Sequence, residues 1–225
     1  MRGFDIKQIH MRSFQISGLT AKWGIGDSRT PPIWENNLIA RWDVRTFPDG
    51  ALATIPNTAT MEGKAPDLTV TGATMASGTL QLDGADDYAT AGDYMFPDRF
   101  TVFWDVDWLG TENSQAGIVH VNNLYLFNHA VKGSLSSRVK LGGSWAYIPN
   151  TSAGISTAGK YYSKSGAAAN FTGKMGEGVQ TGKLHIGRDS INTTFTRMGF
   201  RQLLIFNKEL SQAEVNDVLR VMFPA

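Results

Sequence analysis

The sequence contains no cysteine and only four histidines among its 225 residues. The absence of cysteine excludes a disulfide framework, a thiol nucleophile and a thiolate metal site. The histidines, at positions 10, 120, 129 and 185, form neither a His-x-His nor a His-Glu-x-x-His pattern. They therefore do not indicate a zinc centre. The chain also has no Gly-x-Ser-x-Gly elbow and no phosphate-binding Gly-Lys-Ser/Thr loop, so no catalytic signature of these kinds is present.

The sequence also has little net charge and no long apolar run. The formal net charge is +1, which gives no bulk electrostatic attraction for nucleic acid or a membrane surface. No apolar run is long enough to span a membrane, and the first residues, MRGFDIKQIHMRSF, carry charge where a signal peptide would be apolar. We therefore expect a protein made in the cytoplasm without a signal peptide, which reaches a virion or other extracellular particle surface by assembly, lysis or a dedicated machine.

Glycine and aromatic residues are abundant, with 24 glycines and 24 Phe, Trp and Tyr residues together. This mixture, at this length, favours one large domain with many strands and turns. Residues 1–34 differ from the rest, because apolar residues recur there mostly at every second position. We interpret 1–34 as an extended arm for anchoring or oligomerisation, and 35–225 as the folded domain. The predicted assembly contacts of the arm are Phe4, Ile6, Ile9, Met11, Phe14 and Ile16.

The stretch 198–220 has the clearest local pattern. An apolar, aromatic-rich run up to Phe206 predicts a buried strand. Ser211 and Glu214 then form the Ser-x-x-Glu capping box that opens a helix. That helix has one apolar face, formed by Val215, Val218, Leu219 and Met222.

Further strands are predicted upstream. Leu80–Thr90 reads as a hairpin whose tight turn needs a positive φ at Asp83 or Gly84. Phe100–Trp108 reads as a long strand. The other predicted strands are Leu38–Asp43, Leu68–Val70, Gly117–Val121, Leu124–Phe127, Ser137–Leu141, Trp145–Ile148, Lys160–Ser163, Ala167–Phe171 and Lys183–Ile186. Residues 149–182 are rich in Gly, Ser, Thr and Ala, and the sequence alone does not define the register of the strands in this region.

Three of these stretches resemble one family. The sequence Phe-Asn-Lys-Glu-Leu-Ser-x-x-Glu, at 206–214, is similar to the C-terminal signature of laminin-G-like, concanavalin A-like jelly rolls. Leu80–Thr90 resembles the family's "L-x-F/L-D-G-x-D-D-Y-V/A" hairpin, and Leu38–Asp43 its first strand. The resemblance covers about residues 38–222. It implies an all-β fold: an antiparallel β-sandwich of jelly-roll type with a short C-terminal helix, preceded here by the arm.

Asp105 and Asp107 are the carboxylate pair that catalysis would need. At i, i+2 on a strand they share a face, about 6–7 Å apart, and paired carboxylates cleave glycosidic bonds. The enzymes of this fold carry Glu-x-Asp-x-x-Glu on such a strand, a pattern that this sequence lacks. We therefore predict no catalytic residue and interpret the pair as the polar, solvent-facing side of a strand.

The resemblance also implies a candidate calcium site at the sandwich rim, where family members often hold the ion with Asp and carbonyl oxygens. Asp83, Asp86 and Asp87 cluster on one predicted turn. The alternative, which we favour, is that these carboxylates shape the turn through hydrogen bonds to the backbone. No other cofactor is expected.

Candidate glycan-binding residues are flat aromatic and amide side chains in or beside the loops that match the family least. They are Trp145, Tyr147, Asn150, Tyr161 and Tyr162. In contrast, Trp42, Trp104 and Trp108 lie on predicted strands and are assigned to the core.

The predicted function is a non-enzymatic structural or adhesion module. We expect a component of a phage-like virion, on the capsid or in a tail or fibre, that displays a lectin-like domain and binds surface glycans. Its partners would be other chains of the assembly or further copies of itself, with neither nucleic acid nor membrane. Two alternatives stay open: a free-standing carbohydrate-binding lectin, and a glycoside hydrolase or polysaccharide lyase.

Overall fold

The computed structural model of the protein describes residues 33–109, 116–121, 124–131, 134–141, 144–149, 152–173, 180–188 and 194–224. Eighteen strands, a 3₁₀ helix over Ile33–Asn37 and one α-helix, α1 (Gln212–Met222), form this part of the chain. In chain order the strands are β1 (Leu38–Asp43), β2 (Gly50–Ala51), β3 (Thr54–Ile55), β4 (Leu68–Thr71), β5 (Thr74–Ala76), β6 (Thr79–Asp83), β7 (Tyr88–Phe96), β8 (Thr101–Trp108), β9 (Ala116–Val121), β10 (Leu124–Val131), β11 (Ser134–Leu141), β12 (Ser144–Ile148), β13 (Ser152–Ser156), β14 (Lys160–Ser163), β15 (Ala168–Asn170), β16 (Thr172–Gly173), β17 (Gln180–Ile186) and β18 (Arg197–Phe206).

The strands form two antiparallel sheets that pack face to face, which confirms the predicted β-sandwich with a short C-terminal helix. Sheet A has the order β15-β14-β13-β8-β18-β6-β5-β2, and β1 also pairs with β18. Sheet B has the order β16-β12-β11-β10-β9-β17-β7-β4-β3. The edge strands β15 and β16 are consecutive in the chain, separated only by Phe171, so one short segment borders both sheets.

The main core lies between the sheets. Trp42 and Trp104 are buried in it, as predicted, with 0% and 5% of their surface exposed. Each sheet contributes alternate residues to this core, since successive side chains of a strand point to opposite faces. On β7, for example, Ala89 and Ala91 are buried while Thr90 between them is half-buried.

A second core covers the outer face of sheet A. Phe103 on β8 and Phe206 on β18 are fully buried there, with ring centres 6.0 Å apart. Helix α1 packs over them with the four residues predicted from its periodicity, Val215, Val218, Leu219 and Met222. On the same side of β8, Asp105 was expected to face solvent, which was wrong: it is 6% exposed and pairs with Arg201 and Lys164, whereas Asp107 is exposed as expected.

The start of α1 confirms the predicted capping box. Ser211 accepts a hydrogen bond from the backbone N–H of Glu214, and the carboxylate of Glu214 accepts one from the N–H of Ser211. Lys208 also donates to Glu214, at 2.6 Å. Burial alone would raise the pKa of Glu214, but these hydrogen bonds outweigh it and lower that pKa. The interaction thus stabilises the fold at neutral pH and is lost as the pH falls through the lowered value.

The described residues place the start of the sandwich slightly before the predicted boundary. Trp34, assigned to the arm by the sequence, is 2% exposed in the second core and contacts Phe206 edge to face, with ring centres 6.0 Å apart. Ile33 and Trp34 thus belong to the folded domain. The predicted assembly contacts lie outside the described residues: Phe4, Ile6, Ile9, Met11, Phe14 and Ile16.

The predicted hairpin at Leu80–Thr90 was wrong in its pairing, although both strands exist. Strand β6 pairs with β5 and β18 in sheet A, whereas β7 pairs with β4 and β17 in sheet B. The turn Asp83–Asp87 is thus a crossing between the sheets. Gly84 has the positive φ that the sequence predicted, at 85°, and a Cβ there would lie 2.9 Å from the backbone nitrogen of Arg197.

Candidate functional site

The topology brings several aromatic, basic and histidine residues to the outer face of sheet B. On β9 the buried residues Val119 and Val121 alternate, and on β12 so do Ala146 and Ile148. The residues between them therefore occupy positions on the outer face. This outer face, opposite the core, is called face B below.

One row of residues runs in register across four strands of face B. The register pairs Trp145 with Lys140, Lys140 with Tyr125, and Tyr125 with His120, from β12 to β9. It continues from His120 to His185 on β17, where His185 is only 8% exposed. Neighbouring strands lie about 4.8 Å apart, so this row brings two aromatic residues, a lysine and two histidines together within about 20 Å.

A second row lies two residues further along the same strands. It pairs Tyr147 with Arg138 and Arg138 with Phe127. Two of the predicted glycan-binding residues, Trp145 and Tyr147, thus occupy β12 at positions beside a lysine and an arginine. The sequence indicated the aromatic residues of this site but missed Lys140 and Arg138, whose place beside them depends on strand pairing.

The remaining predicted ligand residues have different positions. Tyr162 is 3% exposed in the second core, so its buried ring offers no surface to a sugar and its inclusion among the ligand residues was wrong. Tyr161 is half-buried against the main core and stacks on Phe171, with ring planes 16° apart. It therefore packs at the sheet edge. Asn150 lies outside the described residues.

Beside β7 and the segment that follows β17, the half-buried rings of Tyr88 and Phe195 lie around one arginine, Arg188. The guanidinium carbon of Arg188 lies 4.9 Å from the ring centre of Tyr88 and 5.5 Å from that of Phe195. Tyr88 also contacts His185, with ring centres 6.4 Å apart. Cation–π contacts of this kind hold the arginine across the rings. This end of face B, around Arg188, therefore presents aromatic and cationic groups like those of the two rows.

The three carboxylates of the sheet crossing lie beside this end of face B. Ligand oxygens of Asp83, Asp86 and Asp87 lie within 4.8 Å of one another. Asp83 accepts a hydrogen bond from the N–H of Ala85 at 2.7 Å, and Asp87 accepts one from the N–H of Asp83 at 3.0 Å. These bonds shape the turn, which was the favoured interpretation. Oxygen clusters of this kind also suit calcium, and calcium binding remains a prediction.

Asp87 differs from its two exposed neighbours because only 8% of its surface is exposed. Burial raises the pKa of Asp87, and the charges of Asp83 and Asp86 add to this effect against the hydrogen bond from the Asp83 N–H. The stabilisation associated with the protonated form is thus present at low pH and lost as the pH rises through the raised pKa.

We expect Asp87→Asn to raise the free energy of unfolding at neutral pH, because the amide oxygen can keep the hydrogen bond without the charge. Chemical denaturation across the acid-to-neutral range measures this effect, with exposed Asp98→Asn as the matched control. If Asp87→Asn is no more stable than the wild type at neutral pH, repulsion in the cluster is not destabilising.

Calcium should raise the melting temperature of the wild type and not that of Asp87→Asn. The absence of a calcium-dependent shift in either protein would contradict the calcium prediction.

Asp105 and Asp107, the only carboxylate pair that the sequence suggested for catalysis, belong to an ion-pair network on sheet A. Arg201 contacts both carboxylates and lies 3.2 Å from Asp105. Lys164 lies 3.6 Å from Asp105, which is 6% exposed. The network ties β8 and β18 to the turn after β14. These contacts are those of a structural brace, and the absence of catalysis remains a prediction.

One pocket of about 270 Å³ lies between this turn and the C-terminal half of α1. Its lining includes Lys164, Arg220 and Phe223, and Lys164 lies 4.7 Å from the ring centre of Phe223. Both cations are already paired, Lys164 with Asp105 and Arg220 with Asp217 at 3.0 Å. The positive charges that line this pocket are therefore largely neutralised by carboxylates of the same chain.

The chain matches solved structures, whereas no protein-family model and no curated protein matches it. The binding domain of Paraclostridial Mosquitocidal Protein 1 superposes with a TM-score of 0.55 at 14% identity, over 85% of this chain and 54% of that one. The botulinum neurotoxin serotype D binding domain gives 0.54 at 13%, over 83% and 52%. A Trypanosoma rangeli sialidase in complex with sialic acid gives 0.51 at 11%, over 83% and 33%.

These similarities show the fold. The chain spans about half the length of the two toxin binding domains and a third of the sialidase chain. At this level of identity, what is shared is an antiparallel β-sandwich fold. The comparisons give no support to the narrower laminin-G assignment or to a phage origin.

Proposed function

We propose that the protein is a non-enzymatic carbohydrate-binding module that acts in adhesion and binds glycans on face B. The observation that carries this proposal is the register of β9–β12, which brings Trp145 and Tyr147 into line with Lys140 and Arg138. Aromatic residues offer flat apolar area to the C–H faces of sugar rings, and neighbouring polar groups fix the orientation of the ligand.

The edge of the sandwich supports a ligand of extended shape. Strand β12 pairs on one side with β11 and on the other only with the two-residue edge strand β16. The aromatic positions of β12 therefore lie close to the border of sheet B, where a chain can enter from the side. Two of the matched solved structures are named binding domains of toxins, which agrees with a binding role for a sandwich of this type.

The test is a glycan array followed by affinity measurement on the best ligand. Trp145→Ala and Tyr147→Ala should each weaken binding by about tenfold or more, because central aromatic residues dominate binding free energy. The conservative Trp145→Phe should keep most of the affinity. Phe223→Ala beside α1 is the control for an aromatic residue outside face B. If both β12 variants bind like the wild type while Phe223→Ala does not, the pocket beside α1 is the binding site.

We also propose, from the sequence of the arm, that the protein is anchored in a larger assembly such as a virion. Its support is the alternating apolar pattern that includes Phe4, Ile6 and Phe14. Deletion of residues 1–32, which spares buried Trp34, should abolish incorporation into the parent particle while circular dichroism still reports a folded sandwich. Undiminished incorporation of this folded truncation would contradict the anchor.

A further inference from the structure

Acidic residues are unevenly distributed along the chain. No Asp or Glu occurs between Asn113 and Gly176, although the chain contains 20 acidic residues. The same stretch contains six of its 21 basic residues: Lys132, Arg138, Lys140, Lys160, Lys164 and Lys174. The rest of the chain therefore has fifteen basic residues against twenty acidic ones. The overall net charge of +1 conceals this asymmetry.

The fold converts this stretch of sequence into one half of the sandwich. It supplies β9 to β12 and β16, which are successive neighbours in sheet B up to its edge. It also supplies β13 to β15, which are successive neighbours up to the corresponding edge of sheet A. The strands at this end of both sheets thus contain basic residues and no acidic ones. Among the described ion pairs of this half, Lys164 pairs with Asp105, which lies outside the acid-free stretch.

We infer that the ligand of face B is an anionic polysaccharide, one that carries carboxylate or sulfate groups. This inference rests on the proposed glycan-binding function. Arg138 and Lys140 lie on β11 between the aromatic positions of β12 and those of β10. A guanidinium binds carboxylate and sulfate oxygens in pairs, and a lysine adds a point charge. Sugar rings and their acidic substituents thus find matching groups in adjacent strands.

Carboxylates beside the far end of face B limit what else could bind here. A long, stiff polyanion that reached past β9 and Arg188 would approach the carboxylate cluster of Asp83, Asp86 and Asp87. Screening at physiological salt confines each attraction to about 8 Å. A few anionic sugar units on four strands, about 15 Å across, satisfy both conditions. Nucleic acids and anionic membranes, which extend beyond this width, are less well matched and become outcomes of the test.

The experiment uses the full chain and an array of neutral oligosaccharides beside their carboxylated and sulfated counterparts. The wild type should prefer one of the charged series, and its affinity should fall as sodium chloride rises from about 50 to about 300 mM. Arg138→Ala/Lys140→Ala should weaken that binding by about tenfold. The matched control is Lys160→Ala, an exposed lysine of the same acid-free stretch in sheet A, which should change affinity by less than about twofold.

The possible outcomes distinguish failure of this inference from failure of the proposed glycan-binding function. Equal binding of neutral and charged glycans, or an unchanged affinity of the double variant with circular dichroism like that of the wild type, overturns the inference and leaves glycan binding intact. Binding of no glycan overturns both. Tighter binding to single-stranded DNA or to phosphatidylserine vesicles than to any glycan also overturns both. Preference for the carboxylated or for the sulfated series, each with loss in the double variant, supports the inference and identifies the acidic group.

Discussion

Replacement of Asn57 by alanine should lower the free energy of unfolding by about 3 kcal/mol. The side chain is 2% exposed and makes four hydrogen bonds. Its oxygen accepts from the backbone N–H groups of Arg41 at 2.9 Å and Ala59 at 3.0 Å. Its amide donates to the carbonyls of Ile39 at 3.0 Å and Ala65 at 2.7 Å. Alanine keeps none of these bonds and leaves buried polar groups without their partner.

The adjacent Thr58 provides the control for this substitution. Its side chain is exposed and donates one hydrogen bond, to the carbonyl of Arg41 at 3.2 Å. Thr58→Ala should therefore change stability by less than about 0.5 kcal/mol. Urea denaturation of the three proteins measures both effects. If Asn57→Ala costs no more than Thr58→Ala, the segment that contains Asn57 is not held to β1 by this side chain.

Gly154→Ala should have a comparable effect through steric overlap, with an expected loss of about 3 kcal/mol. Gly154 pairs with Phe103 across β13 and β8. A Cβ at this position would lie 2.3 Å from Cδ1 of Phe103 and 2.9 Å from the carbonyl oxygen of Val102. Phe103 cannot easily yield, because Tyr162 and Phe206 pack on it with ring centres 5.7 and 6.0 Å away.

Gly92 on β7 is the matched control because it is also a strand glycine without a positive φ. A Cβ there meets only Cγ of Pro66, at 3.7 Å, which is an ordinary contact. Gly92→Ala should therefore leave the melting temperature within a few degrees of the wild type, whereas Gly154→Ala should lower it by about 10 °C. Equal melting temperatures for the two variants would show that β13 does not lie against Phe103.

The parts of the fold that the sequence predicts are those with strong local signals. Helix α1 is one, since its capping box and the spacing of Val215, Val218 and Leu219 depend on residues a few positions apart. Strand β8 is another, because its run of aromatic and β-branched residues has no plausible helical alternative. The positive φ of Gly84 is a third. In each case the cause lies within one turn or one strand.

The features that sequence reasoning missed depend on contacts between distant segments. Strand β13, Ser-Ala-Gly-Ile-Ser, has no alternation of apolar and polar residues because all five of its residues are buried. The pairing of β6 and β7 with different sheets leaves no local trace, since a tight turn serves a hairpin and a crossing equally well. Asp105, which an isolated strand would expose, is buried beside Arg201 of β18 and Lys164 after β14, both distant in the sequence.

The candidate site shows the same division. Trp145 and Tyr147 were identified from their residue type and position beside a poorly matched region. Arg138 and Lys140 could not be placed beside them, because only the register of β11 and β12 brings the two pairs together. One signal for these cations was present in the sequence, namely the absence of acidic residues between Asn113 and Gly176. Total net charge does not reveal it.

The central claim, that face B binds glycan, is tested most directly by mapping backbone amide chemical shifts. The ¹⁵N-labelled protein is titrated with the strongest ligand of the glycan array. We expect the largest shifts on β10, β11 and β12, with residues near Trp145 and Arg138 most affected. Shifts confined to the pocket between Lys164 and α1, or to the turn Asp83–Asp87, with β10–β12 unchanged, would contradict the claim.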